Sequence, residues 1–218
     1  MTARAEFIAH RGAHDVFTEN TLDAFQRAVE LGFDAVELDV HATSDGVCVV
    51  HHDESVVTDR VALSIRGTYF DTLRAAAPLV PRLEEVLEIL AGRVRLYVEM
   101  KSRDIDEYVA DVLTAARADV AVHSFDHVAV RRFAERAPGI PTGILETGRL
   151  VDPVHALREA RARDLWQWHE MIDATLVRDV SAAGGRVIAW TANTPSEWRV
   201  FHESGVSGIC TDLPPTPS

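Results

Sequence analysis

Phe7-Ile8-Ala9-His10 is a short apolar run, Leu22, Phe25, Ala28 and Val29 carry a helical spacing that Gly32 stops, and Asp34 to Val40 is a second β-type run. Strand, helix and strand thus follow in order, and the alternation continues to the C-terminus. Further strands are expected at Val47 to His51, Val94 to Lys101, Val120 to Phe125, Thr142 to Leu145, Leu165 to Trp168, Arg186 to Thr191 and Gly208 to Cys210. Helical patterns cover Pro81 to Leu90, Asp104 to Arg117, Val128 to Arg136, Pro153 to Arg163, Ala174 to Ala183 and Pro195 to Glu203. Asp152 is the expected N-cap of the helix that Pro153 opens. Repeated β-then-α units imply a parallel sheet, and about eight strands in a chain of 218 residues favour a closed (β/α)8 TIM-type barrel over an open doubly wound sheet. One connection is irregular. Between Asp39 and Val47 there is no room for a crossover helix, and Asp45-Gly46 is a turn signal. The strand 2 to strand 3 connection is therefore expected to lack a helix, leaving a barrel without its second helix.

No low-complexity stretch or Gly/Ser linker divides the chain, so residues 1–213 are read as one barrel domain and 214–218, Pro214-Pro215-Thr216-Pro217-Ser218, as a tail. Apolar residues make up 47% and charged residues 26%, as in ordinary globular proteins. The net charge of −12 argues against a nucleic-acid partner, which needs a basic track. There is no signal-like leader and no apolar run of membrane-spanning length, so a cytoplasmic protein without a stable membrane anchor is expected. Cys48 and Cys210 lie far apart in apolar runs and read as buried free thiols. Of the 22 Lys and Arg residues, only Lys101 is a lysine.

Parallel strands normally read as continuous apolar runs. Two strands here do not. In Val36-Glu37-Leu38-Asp39-Val40 the two carboxylates share one face, and in Val98-Glu99-Met100-Lys101 Glu99 and Lys101 do the same. With the apolar face packed on helices, the charged face points into the barrel. Buried carboxylates need compensation. Glu37, Asp39 and Glu99 near the carboxyl ends of two strands make an all-oxygen site for one divalent cation, Mg²⁺ or Ca²⁺. An internal ion-pair network is the alternative reading of the same strands. His10 ends the first strand and His52 the third, which puts both on the same rim as the carboxylates. Two histidines there supply a general base and a general acid near neutral pH. Arg11 and Lys101 beside a cation suit the developing charge of a phosphate ester. Only one of the adjacent His51 and His52 can face the site from a regular strand, and the alternation does not choose between them. His14, His41, His123, His127, His155 and His202 read as capped or surface side chains.

At this level of detail the chain resembles the glycerophosphodiester phosphodiesterases. Ile8-Ala9-His10-Arg11-Gly12-Ala13 is similar to their first signature, followed by Glu19-Asn20-Thr21-Leu22 and Phe25 in the family's order. Glu37-Leu38-Asp39-Val40, Thr43, Asp45-Gly46, Val49-Val50 and His52-Asp53 resemble the second block, and Val80 to Leu87 the helix lead-in. Val98-Glu99-Met100-Lys101, Ser124-Phe125-Asp126, Trp190-Thr191-Ala192-Asn193 and Thr211-Asp212-Leu213-Pro214 resemble later landmarks, so the likeness runs from Phe7 to Pro214.

The resemblance implies a (β/α)8 barrel that hydrolyses a small glycerophosphodiester to glycerol 3-phosphate and an alcohol. It implies Glu37, Asp39 and Glu99 as metal ligands and His10 and His52 as the acid–base pair, which selects His52 over His51. It further implies Arg11, Lys101 and Asn20 as substrate-site residues, with Trp190 lining the pocket; a core tryptophan is the alternative for the last. Three departures stand out. Thr18 replaces the usual proline before Glu19, Val57-Thr58-Asp59-Arg60 replaces a common Arg-Thr-Thr run, and the segment from His52 to Glu99 is short, which implies a reduced insertion after strand 3 and a more open pocket. Two rival functions are a phospholipase D-like hydrolase of lysophospholipid or sphingolipid head groups and a non-catalytic barrel that binds a phosphorylated ligand. The first lacks an evident membrane-binding patch in the sequence. The second predicts loss of site residues, yet His10, Arg11, Glu37, Asp39, His52, Glu99 and Lys101 are all present.

Overall fold

A computed structural model describes residues 4–59 and 61–214; of the expected tail, 214–218, all but Pro214 lies outside the described residues. In chain order the strands are β1 (Glu6–Ala9), β2 (Ala35–Ala42), β3 (Cys48–Val50), β4 (Ser55–Val57), β5 (Ala62–Ser64), β6 (Arg95–Met100), β7 (Val120–Ser124), β8 (Thr142–Glu146), β9 (Asp164–Trp168), β10 (Arg186–Trp190) and β11 (Gly208–Thr211). The helices are α1 (Leu22–Glu30), α2 (Phe70–Ala76), α3 (Leu83–Leu90), α4 (Asp106–Ala115), α5 (His127–Arg136), α6 (Pro153–Ala160), α7 (Ala174–Ala182) and α8 (Pro195–Ser204). Strands β1, β2 and β6 to β11 pair in parallel, and β1 bonds to both β2 and β11, so the sheet closes into a (β/α)8-type barrel. As expected, the Asp152 side chain caps α6 by accepting from the His155 amide.

The strand expected at Val47 to His51 exists as β3, but it runs antiparallel to the end of β2 and is not a barrel stave. The reason is geometric: a turn as short as Asp45-Gly46 can only reverse the chain, whereas a parallel neighbour needs a long crossover. The β2 to β3 connection thus has no helix. The barrel is not short of one, however, because α3 makes the crossover to the next stave, β6. Between β3 and α3 the chain builds a small insertion, the β4–β5 hairpin and α2, around its own cluster of Val49, Val56, Ile65, Leu73 and Val80. No element is legible there in the sequence, since three-residue strands and a seven-residue helix offer too few repeats of either period.

Alternation along the staves sorts the barrel interior into layers. At the amino-terminal end Glu6 accepts from Tyr97 Oη and from Arg95 and Arg186, all at 2.7 Å. Above it lie Ile8, Ala35, Ala121, Leu145, Trp166, Ile188 and Cys210, all essentially excluded from solvent. At the carboxyl-terminal end the next inward positions are His10, Glu37, Asp39, Glu99, His123 and Trp190. Apolar packing fills the lower barrel and polar side chains are left at its mouth.

The turn from β1 into α1 sets how His10 and Arg11 enter that mouth. Thr21 caps α1 by accepting from the Ala24 amide, and Gly12 takes φ +80° where the loop crosses the first turn of the helix. A Cβ on Gly12 would stand 2.8 Å from the backbone carbonyl carbon of Ala24. Strain of this kind costs about 1–3 kcal/mol before any clash is relieved. Gly12→Ala should therefore lower the urea midpoint with an unchanged m-value, and it should lower turnover beyond what the lost stability explains. A variant with wild-type stability and rate would show that the turn does not depend on glycine.

Candidate active site

The carboxylates come together through strand register. Asp39 on β2 is opposite Glu99 on β6, and Glu99 is opposite His123 on β7, so one row of polar side chains crosses three adjacent staves. Glu99 and His123, with Glu37, border a cleft of about 400 Å³ whose walls also include His10, Arg11, His52, Lys101 and Trp190. Glu37, Glu99 and His123 each offer a donor atom within 4.8 Å of the others. Asp39 stands beside them. Its Oδ2 accepts from Asn20 Nδ2 at 2.8 Å and lies 3.2 Å from Arg11 Nε, while its Oδ1 is buried without a hydrogen bond. Glu37 Oε1 is likewise buried and unpartnered.

The electrostatics follow from this crowding. Burial first, then the charges of Asp39 and Glu99, hold the Glu37 carboxyl well above the ordinary carboxylate range. Burial, then Asp39, pushes Glu99 up to about 7. Asp39 goes the other way: burial opposes its charge, but Arg11 and Lys101 outweigh it. Lys101 Nζ lies 3.0 Å from Glu99 and 3.6 Å from Asp39. Carboxylates of raised pKa with bare buried oxygens are the donor set that a divalent cation satisfies.

Of the three histidines on the cleft wall, His10 and His52 each have a carboxylate behind them. His10 Nδ1 donates to Asp212 Oδ1 at 2.7 Å, and His52 Nδ1 donates to Asp53 Oδ1 at 2.7 Å. In each ring Nε2 is left as the nitrogen available to the cleft. Asp212 is itself held by Asn193, whose Nδ2 donates to Oδ2 at 2.6 Å. His52, not His51, borders the cleft.

Asn20 differs from expectation. It is buried and spends both amide atoms on Asp39, donating through Nδ2 and accepting the Asp39 amide through Oδ1, so it holds a carboxylate instead of facing substrate. Arg11 enters the site three ways: its amide donates to Glu37 Oε2 at 3.1 Å, its Nη1 donates to Glu19 at 2.9 Å, and its Nε lies near Asp39. Trp190 packs edge-on against Phe125 and Trp168, with ring centroids 5.6 and 5.4 Å away. The cleft therefore has a charged side built by β1, β2 and β6 and an aromatic side built by β7, β9 and β10.

Sequence reasoning passed over His123, Asp212 and Asn193. For His123 a signal existed: it shares the inward face with Ala121 in an otherwise apolar strand. For Asp212 and Asn193 there was none beyond the family landmarks, because their partner His10 lies at the other end of the chain. Both cysteines are free and buried, as expected, and burial pushes the Cys48 thiol up to about 12.

Comparison with known proteins bears on what such a cleft does. The Glycerophosphoryl diester phosphodiesterase family matches residues 10–216, almost the whole chain. The chain belongs to this family. Among relatives of the glycerophosphoryl diester phosphodiesterases, a glycerophosphodiester phosphodiesterase of Caldanaerobacter subterraneus subsp. tengcongensis is 33% identical, over 96% of this chain and 94% of its own. A probable glycerophosphodiester phosphodiesterase 2 of Mycobacterium tuberculosis is 32% identical over 95% of this chain and 90% of its own. Among solved structures, an Oleispira antarctica phosphodiesterase in complex with the product sn-glycerol-3-phosphate superposes with a TM-score of 0.87 at 25% identity, covering 97% of this chain and 94% of that one. A Thermotoga maritima glycerophosphodiester phosphodiesterase superposes with a TM-score of 0.86, at 25% identity and with 97% and 96% coverage. As a member of this phosphodiesterase family the chain is a phosphoric diester hydrolase acting on a glycerophosphodiester. No helix among the described residues is long and apolar enough to cross a membrane.

The raised carboxyl of Glu99 has a measurable consequence. Its ordinary value is 4.5 and its folded value about 7, so in that window the folded phosphodiesterase binds more protons than the unfolded chain. Stability must then fall as pH rises through it. The melting temperature of protein kept in chelator should drop between pH 5 and pH 8, and Glu99→Gln should reduce the slope. A flat profile for the parent protein would mean that the crowded carboxylates carry no electrostatic penalty.

Proposed function

We propose that the cleft hydrolyses its glycerophosphodiester by divalent-cation-assisted acid–base catalysis, with His10 and His52 as the proton-transfer pair and glycerol 3-phosphate and an alcohol as products. The observation that carries this is the pairing of two imidazoles, each with Nδ1 engaged by an aspartate, beside a cluster of buried carboxylates and two cationic side chains. Glu37, Asp39 and Glu99 would hold the cation, and the unpartnered oxygens of Glu37 and Asp39 are the atoms that most need one. An all-carboxylate set is the chemistry of a Mg²⁺ or Ca²⁺ site. When bound, the ion supplies charge stabilisation to the phosphoryl oxygens.

The remaining work falls to the chain's own groups. Arg11 and Lys101 neutralise the phosphate from the β1 and β6 sides. One imidazole takes the proton of the attacking oxygen through Nε2, and the other gives a proton to the departing alcohol oxygen as its bond to phosphorus breaks. Asp212 and Asp53 hold the rings in the tautomer that this exchange requires and stabilise the imidazolium form. The attacking oxygen belongs to water or to the substrate's neighbouring hydroxyl, and the same pair serves either route. Asn20 orients Asp39, and the Trp190 face shields the carbon skeleton of the substrate from water.

His10→Ala and His52→Ala should each reduce kcat on glycerophosphocholine by about 10²–10⁴-fold while far-UV circular dichroism stays unchanged. Near-normal rates in both would remove the acid–base assignment. Lys101→Arg tests the solitary lysine. Its ammonium is wedged between Glu99 and Asp39, where a planar guanidinium has no equivalent fit. We expect kcat/KM to fall by at least about tenfold; an active Lys101→Arg enzyme would leave composition bias as the better account of that residue. Lysophosphatidylcholine assayed in parallel separates this reading from a lysophospholipase D, which should prefer it.

A further inference from the structure

His123 is a side chain that the mechanism above leaves unused. It lies on the inner face of β7, 1% exposed, beside Glu99 in register. Its ring stacks on Trp166 with centroids 4.1 Å apart and planes 10° from parallel, which fixes the direction in which its nitrogens point. Among the described residues neither nitrogen makes a hydrogen bond. Nδ1 is buried without a partner, and Nε2 faces Glu37 Oε1 at 3.9 Å, an oxygen that is itself buried and unpartnered. That separation is too long for a hydrogen bond. It suits two donors placed on either side of one ion, each with a bond of about 2.0–2.2 Å.

A buried imidazole with no hydrogen bonds is costly unless something at the site uses it. Glu37, Glu99 and His123 each offer a donor atom within 4.8 Å of the others, and imidazole ligates metals through a bare ring nitrogen of this kind. Building on the metal reading of the cleft, we propose that His123 is a nitrogen ligand of the divalent cation, so that this site favours Zn²⁺ or Co²⁺, and Mn²⁺ to a lesser extent, over Mg²⁺ and Ca²⁺. Carboxylates alone suit hard ions, and an imidazole among them selects for the borderline ions that accept nitrogen. The stacking partner Trp166 replaces the hydrogen bond that usually orients a metal-bound histidine.

The test is calorimetric titration of the metal-free protein with Zn²⁺, Mn²⁺, Mg²⁺ and Ca²⁺ separately, for the parent and for His123→Gln, together with pulsed electron paramagnetic resonance of the Mn²⁺-loaded proteins. The expected result is a loss of at least about tenfold in Zn²⁺ affinity for His123→Gln. Mg²⁺ and Ca²⁺ affinities should stay within about twofold. Nitrogen-14 modulation should be seen in the parent and absent from the variant. Binding of all four ions with no nitrogen coupling in the parent, or an equal loss for every ion, would overturn the role of His123 and leave the carboxylate site standing. Failure of the parent to bind any ion would overturn both readings, and Glu37→Gln provides that control. Where His123→Gln does not fold, His123→Asn takes its place, and the nitrogen coupling of the parent still decides.

Discussion

Three carboxylates share the inward face of two adjacent strands at the mouth of a barrel, and their mutual repulsion is the constraint from which the rest of the site follows. Register places Asp39 opposite Glu99, with Glu37 one inward position below, so none of the three can escape to solvent. The surroundings respond with every available donor. The Arg11 amide reaches Glu37, the Asn20 amide reaches Asp39, and the Lys101 ammonium reaches Glu99. Even so, Glu37 and Glu99 remain easier to protonate than ordinary carboxylates. A fold that tolerates this arrangement carries an electrostatic deficit, and on the proposed function that deficit doubles as affinity for a divalent ion.

The lower barrel makes the arrangement tolerable. Below the charged layer lie Ile8, Ala35, Ala121, Leu145, Trp166 and Ile188, and below these the Glu6, Tyr97, Arg95 and Arg186 network closes the amino-terminal end. Packed staves fix the strand ends against the repulsion above them. The aromatic side of the mouth, Phe125, Trp168 and Trp190, adds an apolar wall opposite the charged one. A substrate with a phosphate at one end and a carbon skeleton at the other meets a complementary surface in each half. Global charge matters little here. The −12 of the chain repels polyanions at long range, whereas Arg11 and Lys101 place two positive charges at the cleft itself.

Much of this is legible in the sequence. The period-2 break that set Glu37 with Asp39 and Glu99 with Lys101 depends only on strand geometry, and the β-then-α alternation depends only on apolar spacing. The departures have physical causes. Residues 47–51 have the pattern of a stave, yet a tight turn reverses the chain and makes them the outer strand of a hairpin. His123 has the look of an ordinary strand histidine until the β7 register sets it beside Glu99. Asn20 sits in a recognisable motif, but both its amide atoms are spent on Asp39, a partner nineteen residues away that the motif does not name.

By itself the sequence determined the alternating β-then-α elements, the shared face of the inward carboxylates, and the place of His10 just past the first strand, because each is a consequence of periodicity within a short segment. Only the tertiary structure decided which partners those groups have. His10 meets Asp212 across nearly the full length of the chain because β1 and β11 are neighbours in the closed sheet. His123 joins Glu37 and Glu99 because three staves from separate βα units stand side by side. Local pattern dictates which face a side chain takes, whereas barrel closure and register dictate what it faces. The second cannot be read from any one segment.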